Sequence, residues 1–318
     1  MDIVRIGTRG SKLALWQAYH VADLLKAGGL GAEIITIETK GDKIQDVSIA
    51  KIGSKGVFTQ EIEEQLHQEK IDIAVHSAKD MQSELPEGFE LIAYTTREKV
   101  NDVIVSHNKT ISLSNKKPYT IGTSSTRRIA MLKQYYPHIS TVEMRGNLQT
   151  RIRKMEEGQC DALLLAYAGV SRMDYNDLIA EILPEDVFTP AVGQGSVTVE
   201  ISSALPADKK ALIRQFVNHP ETECRLLAER AFLRKMHGGC SIPVFALAKI
   251  DGNQLHITGG LASLDGQLII RKTLYDSLEN AVILGERLGI EVLEAGGKSL
   301  LADIRAQLNK SAIYHKNL

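Results

Sequence analysis

The sequence Met236-His237-Gly238-Gly239-Cys240-Ser241-Ile242-Pro243 sets a thiol on a glycine-hinged turn ahead of an apolar run. The two glycines remove the side chains that would crowd the sulfur, and they let the backbone take positive φ. A buried structural cysteine needs neither, so Cys240 reads as a sulfur held out to react with or carry something. It follows a helical stretch, whose negative end disfavours a protease-like thiolate and favours attachment to a strong electrophile. His237 as a base three residues away, through a Gly-Gly turn, is a weak arrangement. Cys160, ahead of an apolar run, and Cys224, on a helical face with Leu227, Ala228 and Ala231, read as core thiols. Three cysteines without zinc-type spacing predict neither a disulfide framework nor a metal site.

A second chemistry lies in the cations. Gly122-Thr123-Ser124-Ser125-Thr126-Arg127-Arg128 joins a strand end to a helix start. Backbone N–H groups, hydroxyls and two guanidiniums there suit an anion. The alternative is a plain Ser/Thr cap with two solvated arginines. Thr8-Arg9-Gly10-Ser11 occupies the equivalent corner earlier in the chain, and Arg145, Arg151 and Arg172 follow strand ends or ride adjacent helices. The guanidinium fork suits carboxylate, so arginines at several corners imply a ligand with several carboxylates or phosphates. No Gly-Lys-Ser/Thr sequence is present, which makes nucleotide phosphate the weaker reading. The positive charge is local: the net charge of −1 draws the chain to neither nucleic acid nor anionic membrane. Finally, His76-Ser77-Ala78-Lys79-Asp80 ends a strand. A carboxylate among cations, Asp80, can hold developing positive charge or relay protons; an Asp80–Lys79 pair in a turn is the competing reading, and His76 reads as structural.

The elements that must position these groups alternate. Strands are expected at Ile3 to Gly7, Ile34 to Glu38 and Ile71 to Val75, with helices over Lys12 to Ala27 and Phe58 to Gln68. The order then repeats: strands at Tyr119 to Gly122, Thr141 to Met144 and Ala162 to Leu165, helices over Ser125 to Tyr135 and Leu148 to Glu157. The strand openings echo, Ile6-Gly7-Thr8 against Ile121-Gly122-Thr123, and each third strand is preceded by Asp, at Asp72 and Asp161. Two related βαβαβ domains with parallel sheets are expected. Lys40 to Val57 reads as a long mobile loop. The last part changes character, with a helix from Glu221 to His237, then strands turning at Asp251-Gly252 and Asp265-Gly266, then two helices. It reads as a small α+β domain with an antiparallel sheet. With 318 residues, 43% hydrophobic and 24% charged, the chain has room for two or three cores. No apolar run is long enough to span a bilayer. The start, Met1-Asp2-Ile3-Val4-Arg5, predicts no secretory signal, hence a cytoplasmic protein.

These residues resemble one family closely. Thr8-Arg9-Gly10-Ser11 with Leu13-Ala14-Leu15-Trp16-Gln17, Lys51 through Phe58, Asp72 through Asp80, Gly122 through Arg128, Arg145-Gly146-Asn147, Pro190 through Gly195 and Gly238-Gly239-Cys240 are similar to the porphobilinogen deaminases over essentially the full length. Ala78, Met81, Thr126 and Ser196 depart from the pattern without removing a group the chemistry needs.

The resemblance implies a transferase of tetrapyrrole (haem) biosynthesis that condenses four porphobilinogen molecules head to tail and releases hydroxymethylbilane. Its cofactor would be dipyrromethane, bound to Cys240 through a thioether. Asp80 would be the catalytic carboxylate. Ser77, Lys79, Thr123, Ser125, Arg127, Arg128, Arg145 and Gly146 would hold the cofactor with it. Arg9, Ser11, Arg145, Arg151, Arg172 and Gln194 would hold substrate, and Lys51, Lys55 and Phe58 would lie on a closing loop. No metal, nucleic acid, membrane or obligate protein partner is implied, and a monomer is the default. The implied fold is two type II periplasmic-binding-protein-like α/β domains, residues 1–97 with 196–216 and 98–195, plus an α+β domain, 217–318, carrying the cofactor cysteine. A non-enzymatic anion receptor on the same scaffold would have no use for a presented thiol. A cysteine acyltransferase would be sensitive to alkylation without carrying a pyrrole.

Overall fold

The computed structural model describes residues 3–43, 59–239 and 241–314. Cys240, and the expected loop residues Lys51, Lys55 and Phe58, lie outside the described residues. The chain forms two units, one from residues 3–43, 59–99 and 193–224, the other from 100–192 and 225–314.

The first unit opens with β1 (Ile3–Arg9), α1 (Lys12–Ala27), β2 (Gly31–Ile37), α2 (Gln60–His67) and β3 (Ile73–Ser77). A tight turn, Ala78–Asp80, and β4 (Phe89–Tyr94) follow. The chain then enters the second unit through β5 (Asp102–Val105), β6 (Thr120–Gly122), α3 (Thr126–Tyr135) and β7 (Ser140–Val142). There it continues as α4 (Leu148–Glu156), β8 (Ala162–Ala166), α5 (Tyr167–Arg172) and β9 (Ile179–Ile182). It returns to the first unit as β10 (Val197–Ser202) and α6 (Ala207–Val217). Helix α7 (Pro220–Lys235) leads to β11 (Val244–Asp251), β12 (Gln254–Ala262) and β13 (Ile269–Ser277). Helices α8 (Ala281–Val292) and α9 (Lys298–Tyr314) follow.

The sheet orders are β2-β1-β3-β10-β4 and β7-β6-β8-β5-β9, with β11-β12-β13 separate and antiparallel. In each five-stranded sheet the first three strands are parallel, as expected. The expectation of wholly parallel sheets is corrected: β10 runs antiparallel to β3 and β4, and β5 antiparallel to β8 and β9. The reason is connectivity. Each sheet takes one strand from chain arriving out of the other unit, without the helical crossover that enforces parallel pairing. The two sheets thus share one strand order, each with a single strand exchanged from the other unit.

The repeat heard in the sequence has a physical counterpart. The Asp72 carboxylate accepts from the Arg5 backbone N–H at 2.8 Å, and the Asp72 N–H donates to the Arg5 carbonyl at 2.9 Å. In the second unit, Asp161 accepts from the Thr120 N–H at 2.7 Å and donates to the Thr120 carbonyl at 2.9 Å. In both, an aspartate before the third strand closes the same ring onto the first.

Both large sheets are covered on two faces. Ala18, Val21, Ala22 and Leu25 of α1, with Ile213 and Val217 of α6, pack on one side of the first sheet, while Ile62 and Leu66 of α2 pack against Ile71 and Ala74 on the other. Burying each large apolar side chain contributes about 1.5–3 kcal/mol. Burial on both faces explains why Ala162–Ala166 is continuously apolar: Ala162 and Leu164 join the α3 side, Leu163 and Leu165 the α4 side. Phe245 of β11 completes the α3-side core.

Candidate active site

At the carboxyl end of β1, Ser11 caps α1 by accepting from the Ala14 N–H at 3.3 Å, and the buried Thr8 donates to the Ala14 carbonyl. The same helix contacts the end of β3, where Gln17 Nε2 donates to Ser77 Oγ at 2.7 Å. Just beyond, the Ala78 N–H donates to the Ser196 carbonyl at 3.0 Å, and Ala78 is buried while Asp80 is exposed. Gly193, at φ +75°, lies directly against this turn. Gln194 is buried, and its carbonyl accepts from Arg97 Nε at 2.9 Å. The first unit therefore assembles Ser77, Lys79, Asp80 and the Gly193-Gln194 segment around one turn. Sequence reading named these residues without foreseeing that Gly193 would pack against it.

At the matching corner of the second unit, Ser125 caps α3 by accepting from the Arg128 N–H, and Thr123 Oγ1 accepts from the Ser125 N–H at 3.3 Å. Both corners thus carry a Ser N-cap. The two arginines are not solvated, as the capping alternative required, but buried. Arg127 donates through Nη1 to Asp102 Oδ2 at 2.8 Å and to the Thr189 carbonyl at 3.0 Å. Arg128 donates through Nε and Nη2 to Asp102 Oδ1, at 3.1 and 2.7 Å, and through Nη1 to the Leu164 carbonyl. Exposures are 0% for Asp102, 4% for Arg127 and 7% for Arg128. Burial pushes the Asp102 carboxyl up, but the charges and hydrogen bonds of both arginines outweigh it and hold it well below the usual carboxylate range. Asp102 is the residue the sequence reading missed. It opens a short strand and looks like a turn aspartate, and only its pairing opposite Ala166 brings it beneath α3.

Arg145 sits past β7, with Nε 2.5 Å from Glu143 Oε1. Arg151, on α4, donates to the Gly146 carbonyl at 2.8 Å, and Lys154 to the Arg145 carbonyl at 3.3 Å. Arg151 and Lys154 thus brace the Arg145-Gly146 turn from the following helix. Arg172 ends α5, and Arg9 ends β1. Cys160 is buried, and burial pushes its thiol up, as befits a core sulfur. Among the described residues, no cluster of His, Cys, Asp and Glu could hold a metal ion.

Parallel strands ending in capped helices, with an exposed carboxylate on a braced turn of the first unit and a buried guanidinium pair at the corner of the second, define a protein of the α/β class whose strand ends are the place for a ligand. Comparison with known proteins narrows the class. Residues 4–210 match the family described as porphobilinogen deaminase, dipyromethane cofactor binding domain, and residues 223–294 its C-terminal domain. The chain belongs to the porphobilinogen deaminase family. It is 55% identical to the porphobilinogen deaminase of Desulfosudis oleivorans over 96% of this chain and 98% of the relative. It is 54% identical to that of Cytophaga hutchinsonii, over 97% and 99% respectively. The enzyme of Carboxydothermus hydrogenoformans is 43% identical over 96% of this chain and 99% of its own length.

Proposed function

We propose that this chain catalyses the family's reaction: four porphobilinogen molecules are joined head to tail with loss of ammonia, and hydrolysis releases hydroxymethylbilane. The observation that carries the assignment of its residues is the charge at the α3 corner. Two buried guanidiniums share one buried carboxylate, so these three groups hold a net positive charge nearly out of water. Such a charge calls for an anionic partner. The acetate and propionate arms of a dipyrromethane fit that donor set, and the group, when attached at Cys240, supplies the pyrrole terminus for chain growth.

Thr123, Ser125, Arg127, Arg128, Arg145 and Gly146 hold those arms, together with Ser77 and Lys79. Arg9, Ser11, Arg151, Arg172 and Gln194 receive the carboxylates of incoming porphobilinogen, with Arg145 shared between the two. Asp80 stabilises positive charge developing on pyrrole nitrogen and helps move the proton. Lys51, Lys55 and Phe58 are proposed to lie on a segment that covers the reacting groups. The proposed division into residues 1–97 with 196–216, 98–195 and 217–318 is supported by the three separate sheets. Porphobilinogen is the proposed small-molecule partner, and the proposed setting is a cytoplasmic monomer needing no nucleic acid, membrane or other protein. Among the described residues no helix is long and apolar enough to cross a membrane.

The intact mass of active protein tests this. It is expected to exceed that of the chain by one dipyrromethane, and Cys240→Ser is expected to lack both the excess and the turnover. A bare chain mass in a preparation that makes hydroxymethylbilane would reject the role of Cys240.

A further inference from the structure

Asp80 is exposed at the end of a three-residue turn whose first residue is buried. The chain is anchored on both sides of that turn by buried carboxylates. Upstream, His76 Nε2 lies 3.0 Å from Glu200 Oε2, with both side chains buried. His76 stands opposite Thr198 and Ala74 opposite Glu200, so the pair is a diagonal contact on one face of β3 and β10. Downstream, Gln82 Nε2 donates to Thr59 Oγ1 at 3.1 Å and to Glu63 Oε1 at 3.3 Å. Thr59 precedes α2, and Glu63 lies within it, buried beside Ile62 and Leu66.

A carboxylate at position 63 is a costly way to pack α2. Burial pushes its carboxyl up, only partly opposed by the hydrogen bond with Thr59. Taking an ion out of water is unfavourable, whereas an apolar side chain would fill the space without that penalty. What an apolar side chain lacks is an acceptor for Gln82. Only Met81, itself buried, separates Gln82 from Asp80, so the clasp bears almost directly on the exposed carboxylate.

We propose that Gln82, gripped by Thr59 and Glu63, is a positioning residue for Asp80: it fixes the downstream end of the turn whose upstream end is fixed by His76 and Glu200. This rests on the role given to Asp80 above. Displacing a reacting group by about 1 Å costs up to ~100-fold in rate. The test compares Gln82→Ala and Glu63→Leu, which break the clasp, with Glu63→Gln, which keeps an acceptor oxygen. The readouts are kcat and KM for porphobilinogen and the intact mass of each purified protein.

The expected result for Gln82→Ala and Glu63→Leu is a kcat lowered about tenfold, a KM within about twofold of the parent and full dipyrromethane content. Glu63→Gln is expected to keep most of the parental kcat. A folded Gln82→Ala protein with parental kcat overturns the proposal, as does an equal loss in Glu63→Gln and Glu63→Leu. If Glu63→Leu fails to fold, Gln82→Ala, changed at a half-buried position, decides alone. Parent protein that makes no hydroxymethylbilane would refute the assigned reaction instead, so the two failures are distinct.

Discussion

Gly193 lies so close to the turn carrying Asp80 that a β-carbon on it would stand 2.8 Å from the Ala78 carbonyl carbon and 2.9 Å from the Lys79 nitrogen. Those are backbone atoms, which cannot swing aside as the end of a side chain does. The residue also sits at φ +75°, in the left-handed region that disfavours every residue with a β-carbon.

Gly193→Ala therefore meets strain and collision together. The expected loss of stability is about 1–3 kcal/mol, measured by chemical denaturation. Because the displaced backbone belongs to the Asp80 turn, kcat is expected to fall about tenfold, as steady-state kinetics would read. A folded variant with parental turnover would show that the turn tolerates the shift.

Asp102→Asn leaves two buried arginines around a neutral amide. Breaking a buried pair by removing one partner costs about 3–5 kcal/mol, and that loss is expected in denaturation at neutral pH. The sign of the pH dependence follows from the depressed carboxyl. Above the unfolded-state value of about 3.9, both states are ionised and the full contribution is present. As pH falls below that, the unfolded state binds the proton first and the contribution is lost toward the lower folded value. The stability gap between parent and Asp102→Asn should accordingly narrow between pH 7 and pH 3. A gap independent of pH would mean that Asp102 acts by shape alone.

What the sequence made legible, and what it did not, divides along physical lines. The limits of α1, Lys12–Ala27, were readable because a Ser cap and a Gly-Gly stop flank one periodic face. The β8 run was readable because both its faces are buried. Strands β4, β5, β9 and β10 were not, since their partners are distant in the chain and the four residues of β5 carry no period long enough to read. The site divided the same way. Residue types at strand ends named Asp80 and the arginines, but the Asp102 contacts join positions 25 and 26 residues apart in sequence, and the Gln82 contact with Glu63 joins positions 19 apart. Those pairings exist only once the sheets have formed. The duplicated Asp72 and Asp161 were the exception, because a repeated local pattern survives in the sequence itself.

Arg145 separates charge from stability. Its contact with Glu143 is a surface pair, with side-chain exposures of 24% and 59%. Such pairs contribute about 0–1 kcal/mol, so Arg145→Glu is expected to melt within a few degrees of the parent. A guanidinium that holds a ligand carboxylate contributes roughly 1.5–3 kcal/mol to that contact, and reversing the charge adds repulsion to the loss. Product formation from porphobilinogen is therefore expected to fall by about a hundredfold or more, measured as hydroxymethylbilane released per enzyme. If Arg145→Glu keeps parental yield, the arms of the growing pyrrole chain are held by other cations, and the α3 corner with Arg127 and Arg128 must carry that load without it.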